Sequence, residues 1–337
     1  MSKIIFKSPF AKYFQAFCNE REALGYSIRP LKLKLKVFDN YFCNKKTNSV
    51  FLSETEINKM LDYLVNEEKR DRYRYTSSFA QFAKFIVRLG VPCYIPKVCK
   101  PPKRNYIPFI YSHDEIKRIF EATDSLRNKR HYSQSMLIVM PALVRLLYST
   151  AIRLGEALSL VNEDVDFVHH TITLNKTKNG CQRIAPINPS LEKVLETYID
   201  YRNKLQVKNV TAPKSPFFVN LLGQPCGQHS VNERFIQILH LANIEYKGNH
   251  QGPRIHDLRH TACIHVMIKM AKDGKDIYCT LPSIAAYMGH KTYGSTINYL
   301  RLSKNMFPEI IKTSSSISDK LECKIFHDIT FNDNEEE

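Results

Sequence analysis

The sequence lacks the features that mark membrane and secreted proteins. No apolar run is long enough to cross a bilayer, and the first residues lack the long apolar stretch of a signal peptide. The nine cysteines include no Cys-x-x-Cys pair, and an odd number without framework spacing is typical of reduced thiols. These absences predict a cytoplasmic protein that has no membrane partner and no disulfide framework.

Acidic residues are also scarce relative to basic ones. The chain has 49 Lys and Arg against 33 Asp and Glu, a formal net charge of +16 and a pI near 9.3. Residues 1–108 hold 21 basic and 9 acidic residues, whereas residues 315–337 hold 2 basic and 7 acidic ones. This concentration of positive charge favours a polyanionic partner, most simply nucleic acid in a nucleoid-associated protein. A basic soluble protein without such a partner is the alternative.

The length of 337 residues and a hydrophobic content of 43% are sufficient for two domains with real cores. Residues 1–90 predict a basic four-helix domain. The Leu-Lys alternation within residues 31–36 resembles a strand, but apolar residues at heptad-like steps favour a helix there. Residues 91–108 contain five prolines and four basic residues, which predicts an extended linker.

Residues 109–312 predict a second domain that is mainly helical and carries a small β-hairpin or sheet. Ser112 and Glu115 form a capping-box pattern, and further helices are predicted over 133–150, 190–206, 230–242 and 282–288. Two short strands, 171–174 and 183–187, flank an Asn-Gly pair, the strongest short hairpin signal. That hairpin would hold Lys178 near its tip. A further strand is predicted over 216–219, and residues 313–337 form an acidic tail.

The most informative stretch is His256-Asp-Leu-Arg259-His260. Asp257 is predicted to N-cap a helix that runs to about residue 271, which places Arg259 in its first turn. An imidazole and a guanidinium one helical turn apart suit a planar anion such as a phosphodiester, because Arg presents a rigid donor fork. Arg153 lies among apolar neighbours, which is costly unless an anion or a carboxylate meets it.

Taken in order, these motifs resemble those of the tyrosine recombinase (phage integrase) family. They read Ala-Ile-Arg153-Leu-Gly-Glu156, then Lys178 in the hairpin, then His256-Asp-Leu-Arg259-His260, Met-Gly-His290, and a tyrosine nine residues later, Tyr299. The resemblance covers about residues 108–302. The N-terminal helices resemble the family's core-binding domain only in size, charge and helix content. The sequence departs from the common pattern at Ala151-Ile152 and at Met288, and neither departure touches the chemistry.

The resemblance implies a two-domain clamp that cleaves and rejoins double-stranded DNA. Tyr299 would attack phosphorus and form a 3′-phosphotyrosine, with His256 as the base that takes its proton. Lys178 would protonate the departing 5′-oxygen, and His290 would donate to a phosphate oxygen. Arg153 and Arg259 could clamp the two non-bridging oxygens, where charge develops in the transition state. Such a set needs neither a metal ion nor a cofactor.

Several residues have competing interpretations. Glu156 is interpreted as an orienting partner of Arg153, His260 as a packing or supporting residue, Lys176 as the rival of Lys178, and Tyr293 as a weak rival nucleophile. A zinc site is disfavoured because an arginine lies within the set and no cysteine or carboxylate completes it; its ligands would be His256, His260 and His265.

The resemblance further implies a homo-tetramer that joins two duplexes through a Holliday junction, possibly with accessory DNA-bending or directionality proteins. The enzyme would serve integration or transposition of a mobile element. The acidic tail carries apolar residues that could pack into a neighbouring protomer: Ile325, Phe326, Ile329 and Phe331. Two alternatives stay open, a type IB topoisomerase-like relaxing enzyme and a catalytically idle DNA-binding protein.

Overall fold

The computed structural model of the chain describes residues 4–26, 28–45, 51–66, 71–101, 107–127, 135–175, 182–248 and 252–290. The chain divides into two compact units, 1–105 and 106–337. None of the helices in the described ranges is long and apolar enough to cross a membrane.

The described residues of the first unit form four helices, as the sequence predicts. They are α1 (Ala11–Ala23), α2 (Ile28–Asn44), α3 (Glu54–Asn66) and α4 (Arg72–Arg88). The Leu-Lys stretch is helical, because Leu35, Phe38 and Phe42 then share one buried face. Asp71 caps α4 by accepting a hydrogen bond from the Arg74 amide over 3.2 Å.

Phenylalanine dominates the core of this unit. Ring pairs with centroids 4.5–6.3 Å apart link α1, α2 and α4, and their members include Phe14, Phe17, Phe38, Phe79 and Phe82. The start of the proline-rich segment packs on the same core. Cys93 forms an isolated bridge with Leu52, and Val91 and Tyr94 lie against the buried cluster.

Where the structure describes it, the second unit is mainly helical with one small sheet, which confirms the predicted fold class. Its helices are α5 (His113–Asp124), α6 (Val139–Thr150), α7 (Leu154–Leu158), α8 (Pro189–Asn203), α9 (Gln228–Leu241), α10 (Asp257–Lys272) and α11 (Ile277–Met288). The sheet contains β1 (Val165–Asp166), β2 (Thr171–Leu174) and β3 (Arg183–Pro186), antiparallel in that order. The capping box at Ser112 and Glu115 is present.

Two helices of this unit begin elsewhere than predicted. Helix α6 begins at Val139, so Pro141 lies in its first turn, where a missing N–H costs nothing. Helix α11 begins at Ile277 and contains Pro282 internally, although the sequence pattern placed its start at this proline.

Two local predictions are wrong. Residues 216–219 form isolated bridges rather than a strand, because Pro216 pairs with Val161 whereas Val219 pairs with Pro225, so no single neighbouring segment pairs along the whole stretch. Asp257 is the first residue of α10 rather than its N-cap. Its carboxylate accepts the backbone N–H of Arg254 over 2.9 Å and so closes the preceding turn.

Candidate active site

Arg153 is placed by the sharp corner between α6 and α7. Ala151 ends α6 in the left-handed conformation with φ of 51°, and both Ala151 and Ile152 are fully buried. The chain then turns so that Arg153 is the N-cap residue of α7. Its side chain is about one fifth exposed, with a relative accessibility of 22%. The corner therefore anchors the backbone in the core and leaves the guanidinium at the surface of the site.

Glu156 is the carboxylate that Arg153 requires. It is 3% exposed and accepts hydrogen bonds from the Arg153 backbone N–H (2.9 Å) and Nη1 (2.8 Å). Burial alone would raise its pKa, but hydrogen bonds from Arg183 and Arg153 outweigh burial and lower the pKa to about 2. Glu156 is thus ionised at neutral pH, in keeping with the orienting role expected of it.

Arg183 is a member of the site that the motif pattern did not identify. From β3 it forms a fork on Glu156, with Nη2 donating to Oε2 over 2.8 Å and Nη1 to Oε1 over 3.2 Å. No local motif signals this role, and it becomes visible only from the strand register: Arg183 shares its strand face with buried Ala185, whereas Ile184 is 65% exposed. An arginine on the inward face of a strand and an isoleucine on the outward face indicate an internal partner for the arginine.

The end of α11 positions His290. The backbone N–H of Gly289 donates to the Ala286 carbonyl and that of His290 to the Ala285 carbonyl, both over 3.0 Å, with φ of 64° at Gly289. This is a Schellman motif, in which glycine supplies the left-handed residue. It fixes His290 immediately after the helix.

Two arginines donate hydrogen bonds to backbone carbonyl groups of this turn. Arg259 donates from Nη2 to the carbonyl of Met288 and from Nη1 to that of Ala151 over 2.5 Å. Arg153 Nη2 lies 3.4 Å from the Gly289 carbonyl oxygen. Because Arg259 reaches both the α6–α7 corner and the α11 turn, it connects the segments that carry Arg153 and His290.

The histidines of the site are neutral at neutral pH. Burial, reinforced by the positive charge of Arg259, lowers the pKa of His256 to about 4 and that of His290 to about 4. Burial lowers the pKa of His260 to about 3, with His256 and Arg259 adding to it. His256 is nevertheless exposed at the rim of the site, so solvent moderates the lowering of its pKa. A neutral imidazole can accept a proton or donate one N–H.

A cleft of about 600 Å³ adjoins these groups. Arg153, Arg254 and His256 line it together with polar residues of the first half of α9, namely Gln228, His229 and Asn232. The cleft therefore offers cationic and hydrogen-bonding groups to a ligand.

The structure brings together four of the six residues nominated from the sequence: Arg153, His256, Arg259 and His290. Glu156 and His260 adjoin them. Lys178 and Tyr299, with their rivals Lys176 and Tyr293, lie outside the described residues. His265 is directed elsewhere, with Nδ1 2.8 Å from the Tyr148 hydroxyl and its ring stacked on His113. Among the described residues, no group of three or more His, Cys, Asp and Glu side chains could hold a metal ion.

Comparison with known sequences is consistent with this arrangement. Residues 110–306 match the model of the phage integrase family. The chain is 28% identical over 213 residues to the putative integrase/recombinase y4rB of Sinorhizobium fredii, covering 63% of this chain and 66% of that protein. It is 25% identical over 311 residues to the tyrosine recombinase XerC of Oceanobacillus iheyensis, covering 89% and 92%.

Solved structures share the fold. The XerH site-specific recombinase bound to difH substrate, in a pre-cleavage complex, has a TM-score of 0.61 and 20% identity, covering 87% of this chain and 83% of that one. The Tn1549 transposon integrase in complex with a circular intermediate DNA has a TM-score of 0.58 and 15% identity, covering 85% and 94%. The lambda integrase tetramer bound to a Holliday junction has a TM-score of 0.56 and 14% identity, covering 86% and 76%.

Proposed function

The chain belongs to the phage integrase family as a tyrosine recombinase, a DNA strand-exchanging enzyme, and from that premise we propose that it performs site-specific recombination through a 3′-phosphotyrosine intermediate. The substrate is double-stranded DNA, cleaved and rejoined at defined sites. Strand exchange between two duplexes passes through a Holliday junction.

One observation carries this proposal. Arg153 and Arg259, far apart in the sequence, both hydrogen-bond to the Met288–Gly289 turn that ends at His290. Two guanidinium groups and an imidazole therefore converge on one place, with His256 at the adjoining cleft. A phosphodiester has two non-bridging oxygens that such a set can bind. The negative charge that builds up in its transition state strengthens those hydrogen bonds.

We propose the following roles, which the protonation states and geometry of the described residues support. Arg153 and Arg259 bind the non-bridging oxygens, each charge-assisted hydrogen bond contributing roughly 1.5–3 kcal/mol. His290 donates an N–H to the same phosphate. His256, neutral at pH 7, takes the proton of Tyr299 as the phenolic oxygen attacks phosphorus, and Lys178 protonates the 5′-oxygen that leaves. The phosphotyrosine retains the bond energy, so a 5′-hydroxyl of another strand can reverse the step.

The assembly proposed is a homo-tetramer on two duplexes. It is supported by the shared fold with a lambda integrase tetramer bound to a Holliday junction. Exchange of the segment 313–337 between protomers is one way to link the subunits, since its apolar side chains need a surface to cover them. Accessory DNA-bending or directionality proteins complete the proposed set of partners.

We assign the enzyme to a mobile element, acting on DNA in the cytoplasm and at the nucleoid. The similarity to a putative integrase/recombinase and the fold shared with a transposon integrase support this assignment. Integration and transposition both need the same cleavage and rejoining chemistry.

Covalent capture in the native host tests the proposal. SDS-stable protein–DNA adducts would be trapped from cells that express the wild-type protein or Tyr299→Phe, and the attached DNA would be sequenced. We expect adducts at one or a few defined sequences at the ends of the element that encodes the protein, and none with Tyr299→Phe. Adducts at a single chromosomal site outside such an element would contradict the mobile-element role but not the chemistry.

Two other outcomes would overturn the chemistry or its specificity. Adducts scattered over the genome would indicate a type IB topoisomerase-like enzyme, which relaxes supercoils without site preference. DNA binding without any adduct, from wild type and variant alike, would indicate an idle DNA-binding protein.

A further inference from the structure

We propose that Arg183 is a positioning residue for strand transfer: it shares the charge of Glu156, which leaves Arg153 positive toward the DNA phosphate, and it supports the turn that carries His290. This proposal rests on the proposed function and assigns a part in it to a residue outside the six nominated groups.

The charge balance of the site is the first argument. If Glu156 paired with Arg153 alone, its negative charge would cancel the positive charge of Arg153, which is needed to bind a phosphodiester. Glu156 instead accepts a two-pronged fork from Arg183 and a single side-chain hydrogen bond from Arg153. Arg153, Arg183 and Arg259 together carry three positive charges against the one negative charge of Glu156. Arg183 thereby offsets a carboxylate that is needed for orientation but opposes anion binding.

Close packing on Gly289 is the second argument. A β-carbon built on Gly289 would lie 2.6 Å from Arg183 Nη1 and 2.8 Å from its Cζ. The guanidinium therefore lies directly against the α carbon of the turn whose carbonyl group faces Arg153. Because Arg183 contacts both Glu156 and Gly289, its movement would remove support from the carboxylate and from the His290 turn together.

The burial of the Arg183 side chain also indicates a functional role. It is 12% exposed, and its buried Nε has no hydrogen-bond partner among the described residues. Burial of a guanidinium with an unsatisfied N–H is unfavourable for folding alone. Such a cost is typical of a site where function, rather than stability, determines the arrangement.

Single-turnover cleavage tests the proposal on a nicked duplex that carries the sequence recovered by adduct capture. We expect Arg183→Gln to slow adduct formation about 100-fold and Arg183→Lys, which keeps the charge but loses the fork, about 10-fold. Affinity for the duplex should stay within about threefold of wild type. The matched control is Arg145→Gln, because Arg145 makes the same fork on a carboxylate, with Asp124 at 3.0 and 2.7 Å. Equal rates for Arg183→Gln and Arg145→Gln would overturn the proposal.

A double variant separates this role from a purely structural one. In Arg183→Gln the charge of Glu156 falls on Arg153 alone, so adding Glu156→Gln should restore part of the lost cleavage rate. A structural role predicts the opposite, a double variant slower than either single one, and that result would overturn the proposal. Failure of the wild-type protein to cleave the duplex would instead contradict the proposed function.

A measurement without DNA tests the placement of Arg183 independently. Histidine NMR signals of the free protein would be titrated, with the His290 signal assigned by His290→Gln. Arg183→Gln removes a neighbouring cation, so the pH at the midpoint of the His290 titration should rise by about 0.5 pH unit or more. Arg145→Gln should leave that midpoint unchanged. An unchanged His290 midpoint in Arg183→Gln would contradict the proposed contact.

Discussion

The hydroxyl of Tyr287 donates a hydrogen bond to the carbonyl oxygen of Ser149 over 2.5 Å. This contact ties the end of α11 to the end of α6, the two segments that carry His290 and Arg153. Burial raises the pKa of Tyr287 to about 12, with Cys263 adding to the effect, so the hydroxyl remains a donor at neutral pH. The site is thus held together by a neutral contact as well as by arginines.

Tyr287→Phe should lower the free energy of unfolding by about 1 kcal/mol, because the half-buried Ser149 carbonyl loses its donor. It should also slow covalent capture of DNA, because the His290 turn is less firmly held. Urea unfolding and single-turnover cleavage measure the two effects. Tyr201→Phe is the control, since Tyr201 is 56% exposed. A Tyr287→Phe protein that cleaves at the wild-type rate would show that this contact does not position the site.

Gly289→Ala should impair cleavage more than a comparable change elsewhere. Any side chain at this φ of 64° carries backbone strain of roughly 1 kcal/mol, and the added methyl would also press on Arg183. Gly248→Ala is the matched control, because Gly248 has φ of 66° and no heavy atom within 4 Å of a built β-carbon. Equal losses of stability and cleavage in the two variants would mean that Arg183 moves aside without consequence.

Glu156→Gln should lower the free energy of unfolding at neutral pH by about 3 kcal/mol, since the carboxylate pKa falls from 4.5 to about 2 on folding. For a lowered carboxyl pKa, this stability is fully present above pH 4.5 and is lost as the pH falls through about 2. Urea unfolding at neutral pH measures the change, with exposed Glu163→Gln as the control. A loss no larger than that of Glu163→Gln would contradict the paired, ionised state of Glu156.

Acidification should destabilise the protein through its neutral histidines. The folded pKa values of His260 and His290 lie near 3 and 4, below the ordinary value of about 6.5, so the folded state binds fewer protons than the unfolded state between about pH 4 and pH 6.5. Stability is therefore complete above about pH 6.5 and falls as the pH is lowered toward 4.

Urea unfolding between about pH 7 and pH 5 measures this loss. His260→Gln should flatten the pH dependence, whereas His240→Gln, a change at an exposed position, should leave it unchanged. A pH dependence identical in wild type and His260→Gln would show that His260 is not held in its neutral form.

The sequence predicted the helical fold, the hairpin flanks and four of the residues that the structure brings together. Arg153, His256, Arg259 and His290 stand in local motifs whose order could be read directly. Arg183 was not predicted as a site residue, because strand register decides whether its side chain faces the site. In the structure Arg183 of β3 pairs with Leu174 of β2, and neither residue belongs to a motif. Asp257 was misplaced by one position, since its partner is the Arg254 amide upstream and not the helix ahead.

The starts of α6 and α11 illustrate a second limit of sequence patterns. Proline marks a helix boundary only on average. Pro141 lies inside the first turn of α6, where the N–H that proline lacks would make no hydrogen bond within the helix. Pro282 lies well inside α11, where buried Leu281, Ile284 and Ala285 stabilise the helix through packing. Tertiary burial, which local propensity does not contain, decides such cases.

The most direct test of the account is the identity of the covalently attached residue. The adduct formed on DNA would be digested with nuclease and trypsin, and the modified peptide would be fragmented by mass spectrometry. The tryptic peptide 292–301 contains both Tyr293 and Tyr299, so the fragment ions distinguish the nominated nucleophile from its rival. We predict a nucleotide attached to Tyr299 through its 3′-phosphate. Attachment to Tyr293, to any other residue, or through a 5′-phosphate would contradict it.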